Sequence, residues 1–377
     1  MLIAHLADTH LGYRQYGLEE REKDLYDTFR EIIDKILEEH VDIVIHSGDL
    51  FHMPRPPIRA LRVVQQEFSR LKDKGIQIIV VPGSHDLLRR RGITPLVLYD
   101  YLNVKMLWRR NPIVVINNIF IGGLEYIPKF YVNILKEYLI KLSTQAKNYE
   151  KRILVLHQGI DIAIPIAFEL RLADLPKEYN YYAFGHIHKS FNIKYGDGIL
   201  AYPGSTDILE VNEILDYEKG GKGFFIVDLS SDTPTLHEIK LETIRPQYKL
   251  NIEAKQVSIL RQKLLEKLKS CDKPPIFHIG IKGKISRHLL ENELKDIKAR
   301  SLLVRYSIHP ETISEEQVIN LDLDIKRLLK EKVQQSEAAE YAYQLFLLLS
   351  NNNMIEAYRE TEEFYKSHKW KGVKLFK

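Results

Sequence analysis

Short aliphatic and β-branched runs alternate with stretches of helical periodicity from the first residues onward. Leu2 to Ala7, Ile43 to His46, Ile76 to Val81, Ile153 to Leu156 and Tyr182 to Phe184 read as strands. Between the first two, Leu25, Phe29, Ile32, Ile33, Ile36 and Leu37 fall on one face of a helix over residues 24–37. A second helix is predicted over 58–71, where the preceding Pro56-Pro57 suits a first turn. This alternation is the rhythm of an α/β domain. After His188 the periods shorten and glycine becomes frequent, which predicts hairpins, and Phe224 to Val227 closes a mixed sheet or sandwich. Beyond Arg245-Pro246 the pattern resets to strand, helix, strand, helix, strand over 248–308, a compact βαβαβ unit. From Ser314 the chain reads as helical, with Ser314 and Gln317 as a capping box and Val318, Leu321, Ile325, Leu328 and Leu329 as an apolar stripe. The expected division is therefore 1–245, 246–312 and 313–377.

Composition narrows the class. With 377 residues, 45% hydrophobic and 28% charged, the chain has room for two or three domains with substantial cores. No apolar run approaches the ~18 residues of a membrane span. The opening Met1 to Leu6 carries no basic leader and reads as a first strand, so a soluble cytoplasmic protein is expected. A formal net charge of +4 neither demands nor excludes a nucleic-acid partner. The single cysteine, Cys271, rules out an internal disulfide or a thiolate cage. A metal site here has to be built from carboxylates and from some of the 14 histidines.

Five short motifs stand at the ends of predicted strands: Asp8-Thr9-His10, Gly48-Asp49, Gly83-Ser84-His85-Asp86, His157-Gln158-Gly159 and Gly185-His186-Ile187-His188. Each alone has an ordinary structural explanation, since Gly-Asp is a turn signal and a histidine after an apolar run is often a satisfied core residue. Together they converge, because ligands of open α/β sheets gather beyond the carboxyl ends of the strands. In extended backbone, residues i and i+2 point to one side, so Asp8 with His10, and His186 with His188, are expected to present ligands in pairs. Glycines beside Asp49, Ser84 and His186 let backbones approach closely. Oxygen and imidazole donors without sulfur suit Mn²⁺ or Fe²⁺, with Zn²⁺ as a further candidate.

This order of motifs resembles that of the calcineurin-like metallophosphoesterase superfamily. Residues 5–12, 47–52, 156–159, 182–189 and Tyr202-Pro203-Gly204-Ser205 are similar to the DNA double-strand-break repair nucleases of the meiotic recombination eleven and SbcD type. The resemblance covers residues 1–245 by motif and the remainder by layout. It implies a four-layer αββα sandwich with a small capping domain and a C-terminal helical region. It also implies two Mn²⁺ per chain. Asp8, His10, Asp49 and His188 would hold one ion, and Asp49, Ser84, His157 and His186 the other, with Asp49 shared. His85 would stabilise or protonate the leaving group, and His52 would lie near the scissile phosphate. Ser84 departs from the family pattern, which has asparagine there; a water is expected to fill the gap, with weaker binding of the second ion.

The substrate implied is DNA, as double-stranded ends, hairpins or single strands, cut by 3′ to 5′ exonuclease and by endonuclease action. Arg89-Arg90-Arg91, Arg109-Arg110, Tyr13, Arg14 and Tyr16 are candidate DNA contacts, as are Lys282, Lys284 and Arg287 on an edge of the capping unit. The resemblance further implies a homodimer through helices that include 58–71, and an SMC-like coiled-coil ATPase of the SbcC type bound by the C-terminal helices. The chain has no Gly-x-x-x-x-Gly-Lys-Ser/Thr loop, so nucleotide hydrolysis would belong to that partner. A prokaryotic, archaeal-like source and a nucleoid-associated location are expected. Two rival readings are a small-substrate phosphodiesterase, which would need no capping unit, and an architectural DNA-end-binding subunit whose metal site is weakened at Ser84.

Overall fold

The computed structural model describes residues 1–88, 93–231, 233–309, 325–326, 328–333, 336–350 and 353–367. Its centre is a pair of facing six-stranded sheets. The first has the order β12 (Thr235–Lys240), β11 (Gly223–Asp228), β1 (Leu2–Leu6), β2 (Ile43–His46), β3 (Gln77–Val80), β4 (Val104–Met106). The second has the order β5 (Ile113–Ile116), β6 (Ile119–Leu124), β7 (Lys151–His157), β8 (Tyr181–Gly185), β10 (Gly198–Tyr202), β9 (Phe191–Tyr195). Strands β1 to β4 run parallel, and β6, β7, β8 and β10 are likewise parallel, with antiparallel β5 and β9 at the edges.

Strand alternation explains why β2 is apolar throughout. Ile43 and Ile45 join Ile3, Ile79, Ile121, Ile153 and Val155 in the core between the sheets, whereas Val44 faces a second core under the helices. A strand covered on both faces needs apolar residues on both. Helices α1 (Glu19–Glu38) and α2 (Ile58–Asp73) supply the outer layer of the first sheet through Phe29, Ile32, Val64 and Phe68. Helix α3 (Val132–Ala146) covers the second through Leu135, Leu139 and Leu142. The chain thus has the αββα sandwich expected from its motifs. The hairpin β5–β6 and helix α3 had no counterpart in the sequence reading.

Short helix α4 (Ile214–Gly220) follows the second sheet, and then come β13 (Gln247–Glu253), α5 (Val257–Lys269), β14 (Ile276–Lys282), α6 (Arg287–Arg300) and β15 (Leu303–His309), with the three strands forming one sheet in that order. Contact density separates residues 1–250, 261–279 and 294–305 from residues 251–260, 280–293 and 306–377. Within the second unit, α7 (Ser336–Ser350) and α8 (Met354–Ser367) form a helical hairpin in which Tyr341 stacks on Phe364 at 3.9 Å. The capping box at Ser314 and the residues of the stripe before Ile325 lie outside the described residues.

Candidate metal centre

The chain leaves β1 at Leu6 and β2 at His46, and the two exit loops continue side by side. The Asp8 amide donates to the Gly48 carbonyl at 3.0 Å, the His10 amide to Asp49 at 3.1 Å and the Leu11 amide to Leu50 at 2.9 Å. This course puts Asp8 (φ 52°), His10 (φ 45°) and Asp49 (φ 54°) in left-handed backbone, and His186 follows with φ 91°. Positive φ is uncommon outside glycine and costs on the order of 1–3 kcal/mol per residue, so it persists only where surrounding contacts impose it.

That geometry corrects the expectation of paired ligands along extended backbone. Asp8 and His10 do share a cluster, but in a loop whose direction changes at both residues. His186 and His188 do not pair. The ligand atoms of Asp8, His10 and His188 lie within 4.8 Å of one another, and those of Asp49, His157 and His186 form a separate group on the same criterion. A third such group joins His10 to His52 and His85.

Asp49 lies between the two ligand groups. Its Oδ2 is 3.2 Å from His157 Nε2 and 3.8 Å from His10 Nε2, while its Oδ1 accepts the His85 amide at 2.7 Å. Ser84 also reaches it, donating Oγ–H to Oδ2 at 3.3 Å. Two observations show that the cluster suits cations. His157 is fully buried, with Nδ1 committed to the Ser47 carbonyl at 2.8 Å and Nε2 directed at the Asp49 carboxylate. His10 and His188 also bring their Nε2 atoms to 3.3 Å, with His188 Nδ1 already bonded to Glu213. Carboxylates and imidazole nitrogens aimed at one another in a buried space fit divalent ions, which take up the lone pairs. The electrostatics differ between the two groups, and an ion bound at His157 would have to displace a proton held there by Asp49. Burial drives the His10 imidazole well below its ordinary range toward the neutral, ligating form. Burial acts the same way on His157, but the Asp49 charge and hydrogen bond outweigh it and raise that pKa to about 9.

Several positioning residues went unremarked in the sequence. Glu213 accepts from His188 Nδ1 at 2.8 Å, from Ser205 at 2.8 Å and from Lys222 at 2.5 Å. Burial alone would raise its carboxyl, but His188 and Lys222 hold it down to about 2. Asp86 accepts the amides of Gly83 (2.9 Å), Phe51 (2.9 Å) and Leu50 (3.2 Å), stitching the loop after β3 to the loop after β2. Glu169 approaches His186 Nε2 at 3.7 Å and accepts the Gly159 amide at 2.7 Å. Asp86 could have been noticed as the last residue of its motif. Nothing local marks Glu213 or Glu169, which act through contacts formed only on folding.

Glycine is required where loops meet. A Cβ on Gly83 would overlap the Asp49 amide and carboxylate, and one on Gly48 would overlap the His157 ring. Gly83→Ala is therefore expected to displace Asp49 and weaken divalent-metal binding by about 10- to 100-fold, the range seen when the supports of a ligand are disturbed. Calorimetric titration of the folded variant measures this.

His85 is exposed, and its Nδ1 is fixed 2.8 Å from the His52 carbonyl. The His52 ring lies between those of Tyr13 (3.9 Å) and His85 (5.1 Å). Other candidate DNA contacts are already engaged. Arg14 pairs with Glu22 at 2.5 Å, and Tyr16 lies under the Arg305 guanidinium at 4.7 Å. Arg109 pairs with Glu125 at 2.5 Å, and Arg110 lies over Trp108 at 5.2 Å. Lys282, Lys284 and Arg287 are exposed. Arg89, Arg90 and Arg91 lie outside the described residues.

Two facing mixed sheets with carboxylates and histidines converging beyond their parallel strands define a calcineurin-like phosphoesterase, and the family model of that description matches residues 1–190. Such a domain implies a dinuclear metal site. The DNA double-strand break repair protein Mre11 of Methanocaldococcus jannaschii is 39% identical to this chain over 382 aligned positions, covering 99% of this chain and 100% of its own. The Mre11 of Sulfurisphaera tokodaii is 40% identical over 303, covering 78% and 77%. The chain belongs to the archaeal-type Mre11 family of calcineurin-like phosphoesterases. Among solved structures, a dimetal phosphatase from Danio rerio superposes with a TM-score of 0.42 at 12% identity, covering 64% of this chain and 98% of its own. Among the described residues no helix is long and apolar enough to cross a membrane.

Proposed function

We propose that the chain is a metal-dependent DNA nuclease of double-strand break repair, using two Mn²⁺ to hydrolyse phosphodiester bonds. The observation that carries this reading is the pair of ligand groups meeting at Asp49 with exposed His85 at their rim. Full-length similarity to proteins named for DNA double-strand break repair supports DNA as the substrate.

Asp8, His10, Asp49 and His188 would hold one cation, and Asp49, Ser84, His157 and His186 the other. When bound, the pair supplies Lewis-acid stabilisation of phosphate charge and a nucleophile at neutral pH. The protein's own groups set the geometry. Glu213 fixes the tautomer and direction of His188, and the Ser47 carbonyl does so for His157. The His52 carbonyl accepts a hydrogen bond from His85 Nδ1–H, which leaves Nε2 for the substrate. In its protonated form His85 donates from Nε2 to the leaving 3′ oxygen, as a general acid. Exonuclease action of 3′ to 5′ polarity and endonuclease action belong to the same proposal.

Exposed apolar residues support partners. Ile58 on α2, with Leu98 and Tyr101 nearby, suits a homodimer contact, and Phe346, Leu349, Met354 and Tyr358 on the helical hairpin suit a coiled-coil ATPase of the SbcC type.

The decisive measurement is cleavage of a labelled DNA end with Mn²⁺ against Mg²⁺. The native chain should cut with Mn²⁺. Asp8→Ala should abolish cutting, and His85→Gln should slow it by about 10² to 10⁴-fold with little change in Mn²⁺ affinity. DNA binding without cleavage by the native chain would instead support a purely architectural subunit. Ser84→Asn tests the unusual ligand. Its longer carbonyl arm is expected to tighten the second Mn²⁺, and an unchanged affinity and rate would show that Ser84 limits neither.

A further inference from the structure

Strands β6, β7 and β8 are parallel, so the segment leaving β6 emerges at the same edge of the sheet as His157 and His186. That segment is pinned to the metal centre. The Tyr126 amide donates to the Pro82 carbonyl at 2.8 Å, one residue before the Gly83-Ser84-His85-Asp86 motif, and the Tyr126 ring lies 5.5 Å from that of His186. Four residues later come Phe130 and Tyr131, which are 88% and 51% exposed, with rings 5.0 Å apart and perpendicular. They are held on a single helical turn over Lys129–Tyr131, closed by the Tyr131 amide on the Pro128 carbonyl.

We infer that Phe130 and Tyr131 form a stacking platform for unpaired nucleobases of the DNA strand whose phosphate lies in the metal centre. The inference rests on the nuclease reading above and deepens it by naming a subsite. Three observations favour this occupant. A phenylalanine left almost wholly in water on a constrained turn is a contact surface rather than a core residue. It is also within reach, because four residues span at most ~14 Å, about four nucleotides at ~3.4 Å of rise each. Finally, the surroundings suit a polyanion. The Lys129 ammonium sits over the Phe168 ring at 4.3 Å, the adjacent Glu169 accepts the Gly159 amide, and Glu125 is committed to Arg109. Aromatic faces beside a cation are the chemistry of single-strand binding, which tolerates any base because every base has a π-face.

The test uses the full chain with Mn²⁺ and two substrates: DNA carrying a single-stranded 3′ tail, and bis(p-nitrophenyl) phosphate, which has no base to stack. The double variant Phe130→Ala, Tyr131→Ala should raise KM for the tailed DNA by about tenfold or more and leave hydrolysis of the small diester unchanged. A 2-aminopurine within four nucleotides of the scissile phosphate should be quenched by the native chain and not by the variant. Phe130→Trp should preserve both the KM and the quenching. Wild-type KM and quenching in the double variant would overturn the platform while leaving the nuclease reading intact. A changed sedimentation coefficient with unchanged DNA kinetics would give the patch to a second copy of the chain and equally overturn it. A native chain that hydrolyses the small diester but not DNA would remove the nuclease reading, and the platform with it.

Discussion

Asp49→Asn is expected to lower Mn²⁺-dependent DNA cleavage by at least about 10³-fold without unfolding the protein. Asp49 Oδ2 lies between His157 and His10, so the carboxylate serves both ligand groups at once. With the proposed ligand set, losing its charge would weaken both ions together, whereas loss of an unshared ligand would weaken one. The metals contribute several kcal/mol of transition-state stabilisation, and each ~1.4 kcal/mol is tenfold in rate. The fold should survive because asparagine keeps the Oδ1 acceptor for the His85 amide, now at 2.7 Å, and leaves Gly83 uncrowded. Thermal unfolding separates the two effects. The native chain should melt higher as Mn²⁺ is added, since a ligand bound only to the folded state stabilises it. The variant should melt close to the metal-free native chain and gain little from Mn²⁺. A variant that keeps the full Mn²⁺-dependent rise would exclude Asp49 as the shared ligand.

Arg21→Leu is expected to produce the largest loss of stability, about 3–5 kcal/mol, the range for removing one partner of a buried ion pair. Arg21 is only 1% exposed, yet all three nitrogens of its guanidinium donate hydrogen bonds. It donates to Asp24 and Asp207 at 2.7 Å each, to Gln15 at 2.8 Å and to the Ile208 carbonyl at 3.2 Å. Asp24 in turn accepts from Arg245 at 2.6 and 2.9 Å. The variant leaves Asp207, fully buried, without its counter-charge. The melting temperature should fall by roughly 5 to 15 °C. Arg59→Ala is the control, because Arg59 and Glu19 form an ion pair whose side chains are 57% and 61% exposed and should contribute under about 1 kcal/mol. Equal losses in the two variants would contradict this account of the buried network.

Much of the sandwich was legible because its signals are local. An apolar run such as Ile43 to His46 declares a buried strand wherever it finally packs, and the stripe from Leu25 to Ile36 declares a helix with one covered face. The hairpin β5–β6 was harder to see. Its first strand is only partly buried, and its tight Asn117-Asn118 connection, with both residues at positive φ, lacks the glycine that marks most such turns. Helix α3 carries Tyr138 and exposed Ile140 among its core leucines, which blurs its apolar stripe.

The sequence by itself determined which residues are chemically able to form the centre. Carboxylates and histidines next to glycine at the ends of apolar runs are a local property, and a single cysteine leaves no competing donor. Their spacing says nothing of how they are shared; the family resemblance implies a division, and the tertiary structure sets the distances. His186 joins Asp49 and His157 while His188, two residues on, joins Asp8 and His10. That partition depends on left-handed backbone imposed by loops from two different sheets, and on Glu213 and Asp86 gripping those loops from elsewhere in the chain. Spacing along a strand carries no information about contacts that exist only when two sheets close on one another. The same reason hid Arg21, which precedes the helix predicted over 24–37 and meets Asp207, 186 residues away, only on folding.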